Sequence, residues 1–220
     1  MTSTRNILVV AHALRDDTVA AARRVTAALV AAGARAVFSA DDRAQLGAAI
    51  EDFDNTGTLG IDVPVDEIEF AIVLGGDGTI LRAAELVRGG TAPVLGINMG
   101  HVGFLAEIER DELDEAVHRA ILGDYRVEER LALAVSVQDS DDSLIYETWA
   151  LNEATVEKAS RERMLEVVLE VDGRPLSSFG CDGMVVSTPT GSTAYNFSAG
   201  GPVIWPTVEA MAVVPLSAHA

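Results

Sequence analysis

The chain has 220 residues and a formal net charge of −18 at pH 7, from 34 acidic and 16 basic residues. This charge argues against non-specific binding to nucleic acid or to an anionic membrane, so any bound phosphate must be held by backbone amides and a few placed cations. The hydrophobic fraction of 49% allows a sizeable core, and the aromatic fraction of 5% predicts that Ala, Val, Leu and Ile build it.

The first half of the sequence alternates strand-like and helix-like segments. Predicted strands cover 7–11, 36–38, 70–74 and 93–97, and predicted helices run from an Asp16 N-cap to Leu29 with a terminating Gly33, over 80–87, and from an Asp111 N-cap to Leu122. Residues 51–66 are acidic and contain Gly57, Gly60 and Pro64, which predicts a mobile surface loop. This alternation is typical of an α/β domain with a parallel sheet.

After Gly123 the pattern changes to short strands joined by turns. Predicted strands cover 131–137, 144–150, 164–171, 174–179 and 184–187, with turns at Asp139–Ser143 and Asp172–Gly173. Such strands indicate an antiparallel sheet or sandwich. We place the boundary near residues 123–128, which gives an α/β domain over 1–125 and an all-β domain over 126–220. A strand that only begins at Val213–Leu216 suggests that the second domain is incomplete at its C-terminus.

Several features predict a cytoplasmic protein. The single cysteine, Cys181, cannot form an internal disulfide, and no signal-peptide pattern precedes the first strand. No apolar run approaches the length that spans a membrane. No metal-site spacing is found either, and His101 is interpreted as a solvated loop residue. We therefore expect a protein of a reducing compartment that binds neither membrane nor nucleic acid.

The most informative segment is Gly75-Gly76-Asp77-Gly78-Thr79, which lies between a predicted buried strand and a predicted helix. Free backbone N–H groups at such a helix start make an anion site. A carboxylate within that site suggests phosphoryl transfer with Asp77 as the base, whereas the alternative is a tight turn with a capping aspartate. The chain has neither G-x-x-x-x-G-K-[ST] nor G-x-G-x-x-G, the two common phosphate-binding patterns.

Two further clusters follow predicted strands. The segment Gly96–Leu105 contains three glycines, which either let the backbone approach a ligand closely or form an ordinary loop. Its Phe104 is either a core residue or a stacking residue for a base. The adjacent amide and carboxylate of Asn152 and Glu153 can hydrogen-bond a ribose diol or an adenine edge, although a strand-end turn is the commoner explanation.

The last cluster lies between Cys181 and Pro202. Thr190–Thr193 is rich in hydroxyl and N–H groups and should start a helical turn, as a binding loop or as a capping stretch. Asp182 either accepts hydrogen bonds from ribose hydroxyls or forms a turn with Gly183. Upstream of this cluster, Lys158, Arg161 and Arg163 provide cations for a ligand or form a solvated face.

Taken together and in this order, the clusters resemble the NAD kinases. The matching pieces are Gly75–Thr79, Gly96–Leu105, Asn152–Glu153, and Asp182–Gly183 running into Thr188–Tyr195. Gly-Gly-Asp-Gly-Thr alone also occurs in related lipid and sugar kinases, whereas the four pieces together are specific. The chain departs from the family at Gly180, where some relatives carry a basic or imidazole side chain, and family members continue past the point that matches Ala220.

The resemblance implies transfer of the γ-phosphoryl group of ATP, or of polyphosphate, to the 2′-hydroxyl of the adenosine ribose of NAD, giving NADP. Asp77 would be the base, Gly75, Gly76, Gly78 and Thr79 would hold donor phosphates, and Mg²⁺ would arrive with ATP. The NAD-binding residues that it implies are Asn152, Glu153, Asp182, Thr193, Ala194, Tyr195, Asn196, Phe197 and Ser198. Arg82, Phe104 and Arg163 are further matches to ligand-binding positions of the family.

The family fold implied is a Rossmann-like α/β domain followed by a β-sandwich, in a homodimer or homotetramer. A lipid or sphingoid-base kinase that shares the glycine–aspartate turn is one alternative. A non-catalytic dinucleotide-binding sensor is another.

Overall fold

The computed structural model describes residues 4–12, 15–100, 103–106, 108–160 and 163–219. His101 and Arg161, two residues considered from the sequence, lie outside this described part. The chain forms two compact units, and the boundary between them falls between Val127 and Glu128. Within the described residues, no helix is both long enough and apolar enough to cross a membrane.

The first unit contains one six-stranded parallel sheet with helices. Its strands are β1 (Asn6–Ala11), β2 (Arg35–Phe38), β3 (Thr56–Thr58), β4 (Ile68–Gly75), β5 (Val94–Asn98) and β6 (Ile108–Glu109), and its helices are α1 (Asp16–Ala31), α2 (Ala40–Leu46), α3 (Asp77–Leu86) and α4 (Leu113–Leu122). The strand order is β3-β2-β1-β4-β5-β6, and the paired strands run parallel. The predicted α/β class is therefore confirmed.

Alternate residues of the two central strands point to opposite faces of this sheet, as strand geometry requires. Ile72 and Leu74 of β4 pack in one apolar cluster with residues of α1 and α4. Ala71 and Val73 pack in a second cluster with residues of α3. Every residue of β1 is buried. Helices thus cover both faces, which explains why β1 and β4 are apolar throughout rather than alternating.

Two predicted helix starts are wrong. The N-cap of α1 is Arg15, and Asp16 is already the first helical residue, because the extended backbone conformation ends at Arg15. Before α4, Glu109 and Glu112 form a capping box around a 3₁₀ turn at Arg110–Glu112, so Asp111 is not the cap. The predicted end of α1 is right, since Gly33 has a φ of +77° and follows the C-cap.

The prediction of a mobile loop over 51–66 is also wrong. Residues Thr56–Thr58 form the edge strand β3, which pairs in parallel with β2. Val63 is 1% exposed and belongs to the core on one face of the sheet. A strand of three residues with a central glycine has no measurable periodicity, so the sequence pattern could not reveal it.

The second unit is rich in antiparallel strands, as predicted. Its strands are β7 (Leu133–Gln138), β8 (Leu144–Ala150), β9 (Glu153–Glu157), β10 (Leu165–Val171), β11 (Arg174–Cys181), β12 (Gly183–Ser187) and β13 (Ala212–Leu216), and its one short α-helix in the described part is α5 (Tyr195–Ser198). The strands form the hairpins β7-β8 and β10-β11 and the three-stranded sheet β13-β12-β9. The hairpin turn at Asp172–Gly173 has φ values of 50° and 70°, as a turn of this sequence requires.

Candidate functional site

The glycine turn connects β4 to α3 at the C-terminal end of a central strand. A Cβ atom at Gly75 would come within 2.7 Å of the Thr79 Cβ, so only glycine lets Thr79 pack over the backbone here. Gly76 is the N-cap of α3 and has no side chain with which to cap the first backbone N–H groups. The start of α3 therefore presents backbone donors and the positive end of the helix dipole to a ligand.

Asp77 is the first residue of α3 and is half-buried. Its carboxylate accepts a hydrogen bond from the Phe104 backbone N–H at Oδ2 and another from the Leu105 backbone N–H at Oδ1, each at 3.1 Å. A Cβ at Gly103 would lie 2.8 Å from the Asp77 Cγ. The second glycine-rich cluster therefore orients this carboxylate, which is a function that its spacing in the sequence did not suggest.

Two other residues of this cluster differ in their surroundings. Asn98 is 1% exposed, accepts the Gly100 backbone N–H at 3.0 Å and donates to the Glu109 carboxylate at 3.3 Å. It therefore holds the loop together from within. Phe104 is 70% exposed, which excludes it from the core and leaves its ring available for stacking.

Arg82 lies one turn along α3 from the glycine segment. Its guanidinium forms a bidentate ion pair with Asp42 of α2, with Nη2 2.7 Å from Oδ1 and Nη1 3.2 Å from Oδ2. Arg82, Gly76, Gly78 and Thr79 line a cavity of about 560 Å³. The cavity also contacts His12, Asp41 and Gln45, three residues that the sequence did not single out. These three residues come close to the glycine turn because of the order of the strands in the sheet, which a local sequence pattern does not show.

In the second unit, the predicted helical turn is confirmed as a 3₁₀ turn at Thr190–Thr193. Thr188 fixes it to the segment before β9: its Oγ1 donates to the Leu151 carbonyl at 2.6 Å and its N–H donates to the Asn152 carbonyl at 2.9 Å. A Cβ at Gly191 would lie 2.6 Å from the Asn152 Cα. The hydroxyl-rich turn is thus packed directly against Asn152.

Buried side-chain oxygen atoms without a hydrogen-bond partner are concentrated around this turn, within the described part of the chain. They are Asn152 Oδ1, Glu153 Oε2, Ser187 Oγ, Thr190 Oγ1 and Asn196 Oδ1. Glu153 begins β9 and is paired in register with Ser187 of β12, so it does not lie in a strand-end turn. Burial raises the pKa of the Glu153 carboxyl, and a hydrogen bond from the Tyr195 backbone opposes this in part. These oxygens are available to accept hydrogen bonds from a polar ligand or from water.

The remaining predicted ligand residues of this unit differ in accessibility. Thr193 and Ala194 are half-buried, Tyr195, Phe197, Ser198 and Arg163 are exposed, and Asn196 is buried. The Asn196 amide nitrogen donates to the carbonyls of Ser192 and Pro202 at 3.1 and 2.9 Å. Partial removal of the Tyr195 hydroxyl from water raises its pKa, and the charge of Glu157 and a hydrogen bond with Glu157 raise it further.

Asp182 forms an ion pair with Lys158. In this pair, the hydrogen bond that Lys158 donates lowers the pKa of the Asp182 carboxyl. A ribose that hydrogen-bonds to Asp182 must therefore share this carboxylate with Lys158 or displace it. In the part of the chain described here, no three His, Cys, Asp or Glu side chains are grouped to ligate a metal ion.

Comparison with known proteins identifies the relatives of this chain. The ATP-NAD kinase N-terminal domain matches residues 7–125, and the ATP-NAD kinase C-terminal domain matches residues 151–220. The NAD kinase of Leifsonia xyli subsp. xyli is 61% identical over 220 residues, which are 100% of this chain and 72% of that protein. The NAD kinase of Nocardia farcinica is 49% identical over 226 residues, covering 98% of this chain and 69% of that protein.

Two solved structures are similar in fold. Yeast NADH kinase in complex with NADH has a TM-score of 0.85 at 23% identity, covering 99% of this chain and 67% of that one. An NAD kinase from Archaeoglobus fulgidus in complex with ATP has a TM-score of 0.65 at 26% identity, covering 99% of this chain and 74% of that one.

Proposed function

The chain belongs to the NAD kinase family of phosphotransferases, and from this premise we propose that it transfers the γ-phosphoryl group of ATP to the 2′-hydroxyl of the adenosine ribose of NAD. Inorganic polyphosphate is the alternative donor. The first unit would hold the donor and supply the base, and the second would hold NAD. Cytoplasmic location stays a prediction from the sequence, and assembly into a homo-oligomer stays a prediction from the family resemblance.

The observation that carries this proposal is the position of Asp77. A half-buried carboxylate, oriented by two backbone N–H groups, lies at the start of a helix whose free N–H groups favour phosphate. Gly75, Gly76, Gly78 and Thr79 would hold the donor phosphates through the same turn, and Arg82 would add a positive charge. An anion site and a carboxylate base at one helix start are what phosphoryl transfer to an alcohol requires.

In the proposed reaction, Asp77 accepts the proton of the 2′-hydroxyl while the oxygen of that hydroxyl forms a bond to the γ-phosphorus. The bond from the γ-phosphorus to the bridging β-phosphate oxygen breaks, and ADP leaves with that electron pair. A carboxylate is a weak base, so positioning and charge neutralisation should supply most of the acceleration. Mg²⁺ bound to the donor phosphates would neutralise part of their charge when present.

NAD would be held by the second unit, where the unpaired buried oxygens lie. Asn152 and Glu153 offer acceptors to the hydroxyl and amino groups of the adenosine, and Asp182, Asn196 and the rest of the Thr193–Ser198 segment extend this polar surface. Phe104 and Arg163 are exposed, and we propose that both contact a ligand. A polar dinucleotide satisfies these groups better than a lipid does, which disfavours the lipid-kinase alternative.

The test compares the parent chain with Asp77→Asn, using NAD, ATP and Mg²⁺ and measuring NADP by chromatography. We expect Asp77→Asn to lose a factor of about 10² or more in turnover while its dissociation constant for NAD stays within about twofold. Asp52→Asn, which alters an exposed ion pair with Arg23, is the matched control and should keep full turnover.

Three outcomes would contradict the proposal. Turnover by Asp77→Asn at the parent rate would show that Asp77 is not the base. NAD binding without turnover in both chains would favour the sensor, and phosphorylation of diacylglycerol instead of NAD would favour a lipid kinase.

A further inference from the structure

Asp42 is a fully buried carboxylate in α2 that is satisfied by two side chains. Its relative exposure is 0%. It accepts a hydrogen bond from the Ser39 hydroxyl at 2.7 Å and two from the Arg82 guanidinium at 2.7 and 3.2 Å. Burying a charged group is costly unless it is paired in this way, so the geometry of the pair is strongly constrained.

Arg82 is held on its other side by the backbone. Its Nη2 donates to the carbonyl of Ala11 at 3.0 Å, at the end of β1. A guanidinium has five N–H groups, and these contacts use three of them. Two donors therefore remain for a ligand in the cavity that Arg82 lines together with the glycine turn. In the described lining of this cavity, Arg82 is the side chain with a permanent positive charge.

The position of Asp42 poses an electrostatic question. A carboxylate beside a phosphate site cancels part of the positive charge that attracts the phosphate. If charge alone mattered, removing Asp42 would strengthen binding of the donor. If orientation matters more, removing it would weaken binding, because a flexible arginine must be ordered each time a ligand binds.

We propose that Asp42 is a positioning residue, which fixes the Arg82 guanidinium in the cavity so that Arg82 binds the donor's phosphates. The bidentate pair leaves the guanidinium one orientation, with its remaining donors directed by the Asp42 and Ala11 contacts. This inference rests on the proposed function for the identity of the donor. It assigns to α2 an indirect function in donor binding that neither the glycine turn nor α3 shows alone.

The test measures dissociation constants by calorimetry for Mg–ATP, inorganic tripolyphosphate and NAD. The chains are the parent, Asp42→Asn, Arg82→Ala, the double variant, and the control Asp52→Asn. We expect Asp42→Asn and Arg82→Ala each to weaken Mg–ATP binding about tenfold, or about 1.4 kcal/mol, and the double variant to bind no more weakly than Arg82→Ala. Tripolyphosphate should show the same loss, and NAD binding should stay within about twofold in every chain.

Several results would overturn the inference. They are unchanged or tighter Mg–ATP binding by Asp42→Asn, additive losses in the double variant, an equal loss of NAD binding, and absence of Mg–ATP binding by the parent. A parent that binds Mg–ATP but forms no NADP would overturn the proposed function and leave the binding comparison intact. If Asp42→Asn does not fold, Ser39→Ala removes the hydroxyl that donates to the Asp42 carboxylate and accepts from the Asp42 backbone N–H. It should weaken Mg–ATP binding about two- to threefold. Unchanged binding by a folded Ser39→Ala would also overturn the inference.

Discussion

The two units differ in whether their buried polar groups have hydrogen-bond partners and in how far their strands are covered. In the first unit, the buried carboxylate of Asp42 has three hydrogen-bond donors, and the central strands are covered on both faces. In the second unit, several buried side-chain oxygens have no partner among the described residues, and β8 and β10 are largely exposed. In the first unit, Asn6 Oδ1 is the buried side-chain oxygen that has no partner among the described residues. The first unit thus has a closed apolar core, whereas the second holds a group of buried oxygens that a ligand or water can satisfy.

Ile72 and Ile145 offer a matched test of this difference, and we expect the largest effect here. Ile72 in β4 is 0% exposed, whereas Ile145 in β8 is 62% exposed. Ile72→Ala leaves a cavity in the core and should lower the free energy of unfolding by about 2–5 kcal/mol. Ile145→Ala should change it by about 0.5 kcal/mol or less. Urea denaturation followed by circular dichroism measures both.

Equal losses would contradict the comparison. A large loss at Ile145 would mean that β8 is covered in solution, for example by a second copy of the chain. Sedimentation of the two variants at matched concentrations would then show whether assembly is the cause.

In both units, sequence reasoning found strong local patterns and missed very short strands and contacts between distant residues. The run β4–glycine turn–α3 was predictable because a buried apolar strand, three glycines and a helical period are strong local signals. The strands β3, β6 and β9 were not, since two to five residues without clear alternation carry little signal. The Asp42–Arg82 pair joins residues 40 positions apart. No local pattern records such a contact, and the same holds for the pairing of Glu153 with Ser187.

Ser187 and Ser192 allow a second test, of intermediate size. Both are buried, but Ser187 Oγ has no partner in the described residues, whereas Ser192 Oγ donates to Pro189 at 2.7 Å and accepts from the Ile204 N–H at 2.9 Å. Ser192→Ala should cost about 1–3 kcal/mol, because it leaves the partly buried Ile204 N–H unpaired. Ser187→Ala should cost nothing without ligand, yet weaken NAD binding about two- to tenfold.

Thermal unfolding with and without NAD separates the two effects. If Ser187→Ala lowers stability as much as Ser192→Ala does in the absence of NAD, then Ser187 is not held for a ligand. If NAD binding is unchanged, Ser187 lies outside the binding site.

The smallest expected effect is a pH dependence that differs in sign between the units. Burial raises the pKa of Glu153 from 4.5, so the folded second unit holds this proton more tightly than the unfolded chain does. Its contribution to stability is therefore largest below pH 4.5 and is lost as the pH rises through the raised pKa. In the first unit, burial alone would raise the pKa of Asp17, but hydrogen bonding to Arg15 and the charges of Arg15 and Arg110 lower it from 3.8. That contribution is present above pH 3.8 and is lost as the pH falls through the lowered pKa.

Glu153→Gln and Asp17→Asn isolate these two contributions from the other carboxylates of the chain. Because a glutamine cannot ionise, the stability of Glu153→Gln relative to the parent should rise with pH above 4.5 and then level off. Asp17→Asn should be less stable than the parent above pH 3.8, and the gap should close as the pH falls. Urea denaturation at a series of pH values measures both differences. Parallel curves for the two variants would mean that Glu153 is paired in solution like Asp17, and the contrast between the units would then fail at the residue where it is most specific.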